Sequence, residues 1–494
     1  SNAPSSPTYL PYSPQTTKAH TIPVSSLASH NIHSVHITWV DFGNSTRFRV
    51  LPLSSFQRLL VSSRPGVTIA QGCFGLVLSG IVLAPGFSAT GEYLYVVDLD
   101  TIRLCPYAPG HASIMGWFQD KIPAPGRALG TGVPMCPRSV LKRVIDTATS
   151  YNAAFLVGFE SEFILLKSTN PIEAVNTHGY CISSALPSGT KETEVMEEIA
   201  QGLVNSGVEL MMYHSEGAPG QYEVVTGPLP PLEAADALVH TRETIVNVAN
   251  KHGFRATFAP RINLDSCGNG AHTHISVHPV SSEQPSVAVE GTRTQSDNLL
   301  TPLEGIFLAG VLEHLPAACA FTLPIRASYA RMVDGIWSGG TWIAWGCDNR
   351  EVPVRLCGPP THFPTPAQER ASPTPSGNHF EIKCVDGTSS PYLALSGLLG
   401  AGLLGIQSQA HLIEKNCAEP VAQMSEADRD AVSVKRRLPL TWEEARGALE
   451  GDEAMKGLLG GIVDGFLAAG GILDDLMGAP TSEAGRLQLL VENY

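Results

Sequence analysis

Between residues 33 and 50, apolar and polar positions alternate (Val35, Ile37 and Trp39, then Phe48 and Val50), and the alternation breaks at Gly43-Asn44. A period of two sends successive side chains to opposite faces, and Gly-Asn suits the positive-φ backbone of a tight turn. A β-hairpin is therefore predicted here, opening a small sheet domain. Pro/Gly-rich text from Ile122 to Pro137 reads as a domain boundary. Beyond it, apolar residues recur at helical spacing over 138–150 and 232–252, and strands are predicted at 155–166, 256–258 and 272–277. Pro-rich interruptions fall around Ser282 and at 359–375, and the segment from Trp442 reads as helices. The apolar run at 393–406 is broken by glycines and is shorter than the roughly 20 residues that cross a bilayer, so a buried helix and no membrane segment is expected.

Composition narrows the classes of function. The 494 residues are 43% hydrophobic and 16% charged, with a formal net charge of -14, which argues against nucleic acid or an anionic membrane as partner. The ten cysteines show no C-x-x-C pair or zinc-finger spacing, so reduced thiols in a cytoplasmic protein are expected. Ser1-Asn2-Ala3 reads as an expression scar, and residues 1–28 as a flexible tail.

Polar residues gather on single faces of several predicted strands. Glu160 and Glu162 share one face, with Phe159 and Phe163 on the other. Alone, such a pair is more often a solvated strand face than a site. The pattern recurs, however. Glu216 and Glu223 flank Pro219-Gly220 beside His214; His272, His274 and Ser276 share a face beyond Gly268-Asn269-Gly270; and Glu381 stands between His379 and Lys383. Together they predict a carboxylate-lined cleft. Crowded carboxylates raise one another's pKa unless a cation neutralises them, and oxygen donors with an imidazole and no thiolate favour Mg²⁺ or Mn²⁺ over Zn²⁺. Arg331, Arg350 and Arg355 add planar guanidinium forks suited to carboxylate and phosphate, although Arg331 taken alone reads better as a surface ion pair.

These motifs, in this order, resemble glutamine synthetase. The matching segments are Val157 through Phe163, His214 through Glu223, Gly268 through Ser276, Ala344-Trp345-Gly346 through Arg355, and Glu381 through Leu395, and the resemblance extends over nearly everything from about Ser29. It implies an α+β fold: an N-terminal β-grasp domain at 29–128 and a catalytic domain at 129–494 with a curved antiparallel sheet and flanking helices. It also implies ring-shaped homo-oligomers with active sites between subunits. Matched by position, Glu162, Glu216 and Glu223 would hold one metal, and Glu160, His272 and Glu381 the other. His274 and Ser276 match positions near the nucleotide, and Arg350 and Arg355 match catalytic positions facing the phosphates, Arg355 also beside the nucleotide. Asn269, Gly270 and Arg331 match the grip on the acid substrate. The implied reaction uses ATP with Mg²⁺ or Mn²⁺ to activate a carboxylate as an acyl phosphate, which an amine then attacks.

The chain departs from the family at the ammonia site. Where ammonia-using members carry a flap glutamate, this chain has Trp337-Ser338 in the stretch Asp334 to Gly340, with Asp334 the nearest substitute. The family's ammonium-binding aspartate is replaced by the text Gln71-Gly72-Cys73-Phe74-Gly75. Ammonium needs anionic groups to bind and deprotonate it, so an organic amine is expected as nucleophile, with Trp337 as an apolar or cation–π wall or as a packing residue of the flap. Lys383 replaces a substrate-contacting arginine, keeping the charge without the bidentate fork. The readings are thus a γ-glutamyl-amine ligase, a glutamine synthetase using ammonia, or a non-catalytic structural or signalling descendant.

Overall fold

The computed structural model describes residues 12–78, 81–123, 125–281, 299–358 and 377–494; the Pro-rich interruptions expected around Ser282 and at 359–375 lie outside them. Seven short strands come first: β1 (Ser34–Val40), β2 (Thr46–Pro52), β3 (Gly66–Ala70), β4 (Glu92–Val97), β5 (Arg103–Leu104), β6 (His111–Ile114) and β7 (Gly116–Asp120), with helix α1 (Leu53–Leu60) after β2. β1 and β2 form the predicted antiparallel hairpin, with Asn44 at φ 62 in its turn. They belong to a four-stranded sheet ordered β2-β1-β6-β5, with β3, β4 and β7 in a second, three-stranded sheet. Aromatic side chains fill the space between, the Phe118 ring lying 4.6 Å from Phe74 and 4.5 Å from Tyr95. Of the stretch read as a flexible tail, residues 12–28 lie on the body: Ile22 N–H donates to Ile102 O at 2.9 Å, Ala19 N–H donates to Glu233, and Leu27 is buried.

The larger sheet has nine strands: β8 (Ala153–Thr169), β9 (Ile172–Ala174), β10 (Leu210–Ser215), β11 (Gln221–Leu229), β12 (Arg255–Thr257), β13 (Thr273–Pro279), β14 (Trp345–Cys347), β15 (Val354–Cys357) and β16 (His379–Ile382). Seven run in the order β10-β11-β8-β13-β16-β15-β14, with β9 and β12 also pairing with β8. All neighbours are antiparallel except β14 and β15. Helices α2 (Pro137–Ser150), α3 (Lys191–Asn205), α4 (Pro231–Lys251), α5 (Pro302–Thr322) and α6 (Pro391–Ser408) accompany it, and five further helices lie between Glu426 and Asn493. The helices predicted at 138–150 and 232–252 match α2 and α4 to within a residue.

The sheet's apolar side is closed by α5 and α6. Phe307 of α5 lies 5.6 Å from Phe155 of β8 and 6.0 Å from Phe380 of β16, ring to ring. α5 is apolar all round, and by length and composition it could cross a membrane, but 78% of that stretch is buried inside the protein. The apolar run at 393–406 falls inside α6, where it is buried as predicted. Where the two helices cross, a Cβ on Gly310 would come within 2.6 Å of Ala401 O and Gly405 Cα, so only glycine permits this backbone contact.

One charged cluster joins the N-terminal strands to the helices beneath the large sheet. Arg138 of α2 donates twice to Asp236 of α4, at 3.0 and 2.8 Å, and its Nη2 also lies 2.8 Å from Asp98. Tyr392 of α6 donates to Asp236 at 2.7 Å, and the guanidinium stacks 3.9 Å from the Trp117 ring centroid. On the same helix α4, burial first and the Arg103 charge second push the His240 imidazole down to about 3, and its Nε2 has no hydrogen-bond partner among the described residues. The unfolded chain, with an ordinary His pKa near ~6.5, then binds more protons than the folded one in the window from ~6.5 down to about 3. Stability therefore falls as pH drops through that window. His240→Gln is expected to flatten this limb by up to about 1.4 kcal/mol per pH unit in urea denaturation; an unchanged slope would rule out a buried neutral imidazole.

Candidate active site: a carboxylate-lined cleft

Strand register brings the distant polar residues together. Glu162 of β8 faces Glu223 of β11, which faces His214 of β10. On the other flank, His274 of β13 faces Glu381 of β16, which faces Arg355 of β15. Because side chains alternate along each strand, all of these project from one face.

At the centre, His272 Nδ1 lies 2.8 Å from Glu160 Oε2, 3.6 Å from Glu162 Oε1 and 3.5 Å from Glu381 Oε1. His274 Nε2 lies 3.0 Å from Glu160 Oε1. Burial pushes the Glu160 carboxyl up, but hydrogen bonds from His272 and His274 outweigh it and hold this group well below the usual range. Glu381 is likewise pushed up by burial, and the Lys383 ammonium, 3.1 Å away, leads the charges that bring it down to about 2. On the β10–β11 flank, His214 lies 3.2 Å from Glu223 and 3.5 Å from Glu216. Its hydrogen bond to Glu223 raises His214 to about 9. Glu216 is raised to about 8 by burial and by the charges of Glu162 and Glu223. These six predicted ligands therefore share one cleft, and their charges exceed what its own cations neutralise on this flank.

Ligand atoms fall within 4.8 Å of one another in the trios Glu160–His272–Glu223, Glu160–His274–Glu381 and His214–Glu216–Glu223. These are not the trios implied by the resemblance. Glu162 turns Oε2 to the Gln221 amide at 3.0 Å and the Gly270 N–H at 2.8 Å, and His214 lies between Glu216 and Glu223.

The remaining predicted residues divide. Arg331 is buried rather than a surface ion-pair residue; its Nη1 donates to Val385 O at 3.0 Å, its Nε has no partner among the described residues, and its Nη2 lies against Gly270. The Asn269 amide is engaged within the protein: Oδ1 accepts from Gln221 at 2.9 Å, and Nδ2 donates to Ala259 O at 2.9 Å and Thr257 O at 3.3 Å. Arg355 Nη1 lies 2.8 Å from Glu381, whereas Arg350 is exposed and enters only as a charge acting on the Tyr180 phenol. His274 and Ser276 line a cavity of about 1240 Å³, together with Glu160, Thr226, Asn378 and Ile406, and Ser276 shares a hydrogen bond with His278 at 2.8 Å.

In the flap, Trp337 is 67% exposed with φ 64. Both nearby carboxylates are engaged. Asp334 accepts from the N–H and hydroxyl of Thr341 at 2.9 Å and lies 3.7 Å from Arg437. Glu351 accepts from the N–H groups of Gly335 at 3.1 Å and Trp337 at 2.7 Å.

Sequence reasoning missed Gln221 and Glu351 and gave His214 no role. The spacing His214-x-Glu216 was the one available signal, since a period of two places both on one face.

The chain matches the family model described as glutamine synthetase, catalytic domain, over residues 134–469. It belongs to the glutamine synthetase family. This family member is 30% identical to Protein fluG of Emericella nidulans over 92% of the chain, and spans about half (48%) of that protein. It is 29% identical to gamma-glutamylpolyamine synthetase GlnA3 of Streptomyces coelicolor, covering 88% of each. Glutamate–methylamine ligase of Methyloversatilis universalis is 26% identical over 89% of the chain and 92% of its own length. A solved GmaS/ADP complex superposes with a TM-score of 0.74 over 94% of this chain and 99% of that one, at 23% identity, which shows a common mixed α/β fold.

Proposed function

We propose that this glutamine synthetase-family chain is an ATP-dependent ligase that activates a carboxylate, most simply the γ-carboxylate of glutamate, and joins it to an organic amine. The observation that carries the amine is the flap: Asp334 is held by Thr341 and Arg437, and Glu351 by two backbone N–H groups, so neither carboxylate is free to bind ammonium. The exposed Trp337 ring offers an amine a cation–π face. The names of two relatives, a γ-glutamylpolyamine synthetase and a glutamate–methylamine ligase, support the same class.

The donor set fits Mg²⁺ or Mn²⁺: Glu216, raised to about 8 by burial and by Glu162 and Glu223, marks a flank with more carboxylate than its surroundings neutralise. Between them, Glu160, Glu162, Glu216, Glu223, His272 and Glu381 would hold the cations, with His214 and His274 within reach of the same carboxylates. When bound, such ions supply Lewis-acid polarisation of phosphoryl oxygens. The unpartnered Nε atoms of Arg331 and Arg355 suit anionic groups. In this reading Arg331, beside Gly270, receives the acid's carboxylate, with Asn269 positioning the loop. Arg355 and Arg350 offset charge on the phosphoryl group as it passes from ATP to the acid, giving an acyl phosphate. Lys383 holds Glu381 in place from beneath the flap, and His274 and Ser276 border the nucleotide cavity. We read residues 29–128 as a β-grasp domain and 129–494 as the catalytic domain of a cytoplasmic, ring-shaped homo-oligomer with sites between subunits.

Phosphate release with glutamate, measured against ammonium, polyamines, ethanolamine and aromatic amines, tests the reading. The best organic amine is expected to exceed ammonium in kcat/KM by at least about threefold, the weight of one solvent-exposed cation–π contact; preference for ammonium overturns it. Trp337→Ala is expected to raise the amine KM by about threefold with little change in kcat, and an unchanged KM would make Trp337 a packing residue.

A further inference from the structure

The large sheet carries a second, chemically different ligand set beside the carboxylates. Cys357 of β15 and His379 of β16 are direct cross-strand partners, and His274 stands on β13, the next strand. One ligand atom from each of the three lies within 4.8 Å of the others. The His274 and His379 rings are 5.0 Å apart, centre to centre. Cys357 is buried, so its thiol is shielded from bulk solvent.

We propose that His274, Cys357 and His379 form a binding site for a soft divalent cation of the Zn²⁺ type, separate in ligand character from the Mg²⁺/Mn²⁺ set. A thiolate with two imidazoles is a donor set that selects Zn²⁺ over the hard cations, and three protein ligands leave a fourth tetrahedral position for water. His274 is already oriented for the task. Its Nε2 lies 3.0 Å from Glu160 Oε1, so a carboxylate already orients the ring. A carboxylate on the far nitrogen of a ligating histidine is the arrangement that fixes the tautomer and raises ligand basicity. On coordination the Cys357 thiol releases its proton to solvent, and no electrons are exchanged. His274 and His379 also line the 1240 Å³ cavity, so an ion held here adds positive charge to that cavity's wall.

The test uses the full chain in excess Mg²⁺, titrated with Co²⁺ as a spectroscopic substitute for Zn²⁺. One Co²⁺ per chain is expected to give a thiolate-to-cobalt charge-transfer band in the near ultraviolet, which Zn²⁺ bleaches. Cys357→Ser, checked for native near-ultraviolet dichroism, is expected to lose the band and to weaken binding by roughly tenfold or more, and His379→Asn to weaken binding by a similar factor. No band in the wild type, or a band that survives Cys357→Ser and so belongs to another cysteine, overturns the proposal. The readout involves neither ATP nor amine, so this outcome is independent of the ligase reading.

Discussion

Glu162→Gln is expected to lower turnover by on the order of 10³-fold, the several kcal/mol a positioned cation contributes to a phosphoryl-transfer transition state. The protein is expected to remain folded. The amide has the carboxylate's size, and its oxygen still accepts from Gln221 and the Gly270 N–H, which now hold Glu162 at 3.0 and 2.8 Å. Stability by urea denaturation is expected to change by no more than about 1 kcal/mol. What the substitution removes is one charge from a set in which Glu162 and Glu223 already repel the buried Glu216. Phosphate release at saturating Mg²⁺ or Mn²⁺ is the measurement. Turnover within tenfold of wild type would mean that the chemistry lies elsewhere. Glu381→Gln is a less clean probe, because it also deprives the buried Lys383 ammonium, 3.1 Å away, of its counter-charge.

Asp236→Ala is expected to cost about 3 kcal/mol of folding stability, the lower end of the range for breaking a buried ion pair by removing one partner. Arg138 would keep only Asp98 as an acidic partner, and the Tyr392 hydroxyl would lose its acceptor. The loss should register both in the midpoint of urea denaturation and in the docking of the N-terminal strands, since Asp98 directly follows β4 and Trp117 lies on β7. Arg138→Met combined with Asp236→Leu removes both charges at similar volume and is expected to recover much of the loss. A double variant no more stable than Asp236→Ala would show that the cluster contributes through shape rather than through charge.

Much of the site was legible because strand periodicity is a local property. Glu160 with Glu162, and His272 with His274 and Ser276, could be assigned to common faces from spacing alone, and the order of the motifs pointed to the family. The partners were not legible in the same way. Gln221 binds Glu162 from 59 residues away, and Glu351 holds the flap from 14 and 16 residues on. Arg331 taken alone read better as a surface ion pair, and the structure buries it, because a lone arginine carries no mark of burial in its neighbours.

The amino-acid sequence by itself determined several of the elements with their amphipathic faces, the family and the inventory of acidic, imidazole and guanidinium groups, since each depends on residue type and short spacing. Only the tertiary structure decided which groups meet. Sheet order and register set His214 between two carboxylates, placed Cys357 opposite His379, and engaged Asp334 and Glu351 in the flap. The physical reason is that charge, hydrogen bonding and metal-ligand chemistry act over a few ångströms, and strand pairing joins residues that the chain separates by dozens to hundreds of positions.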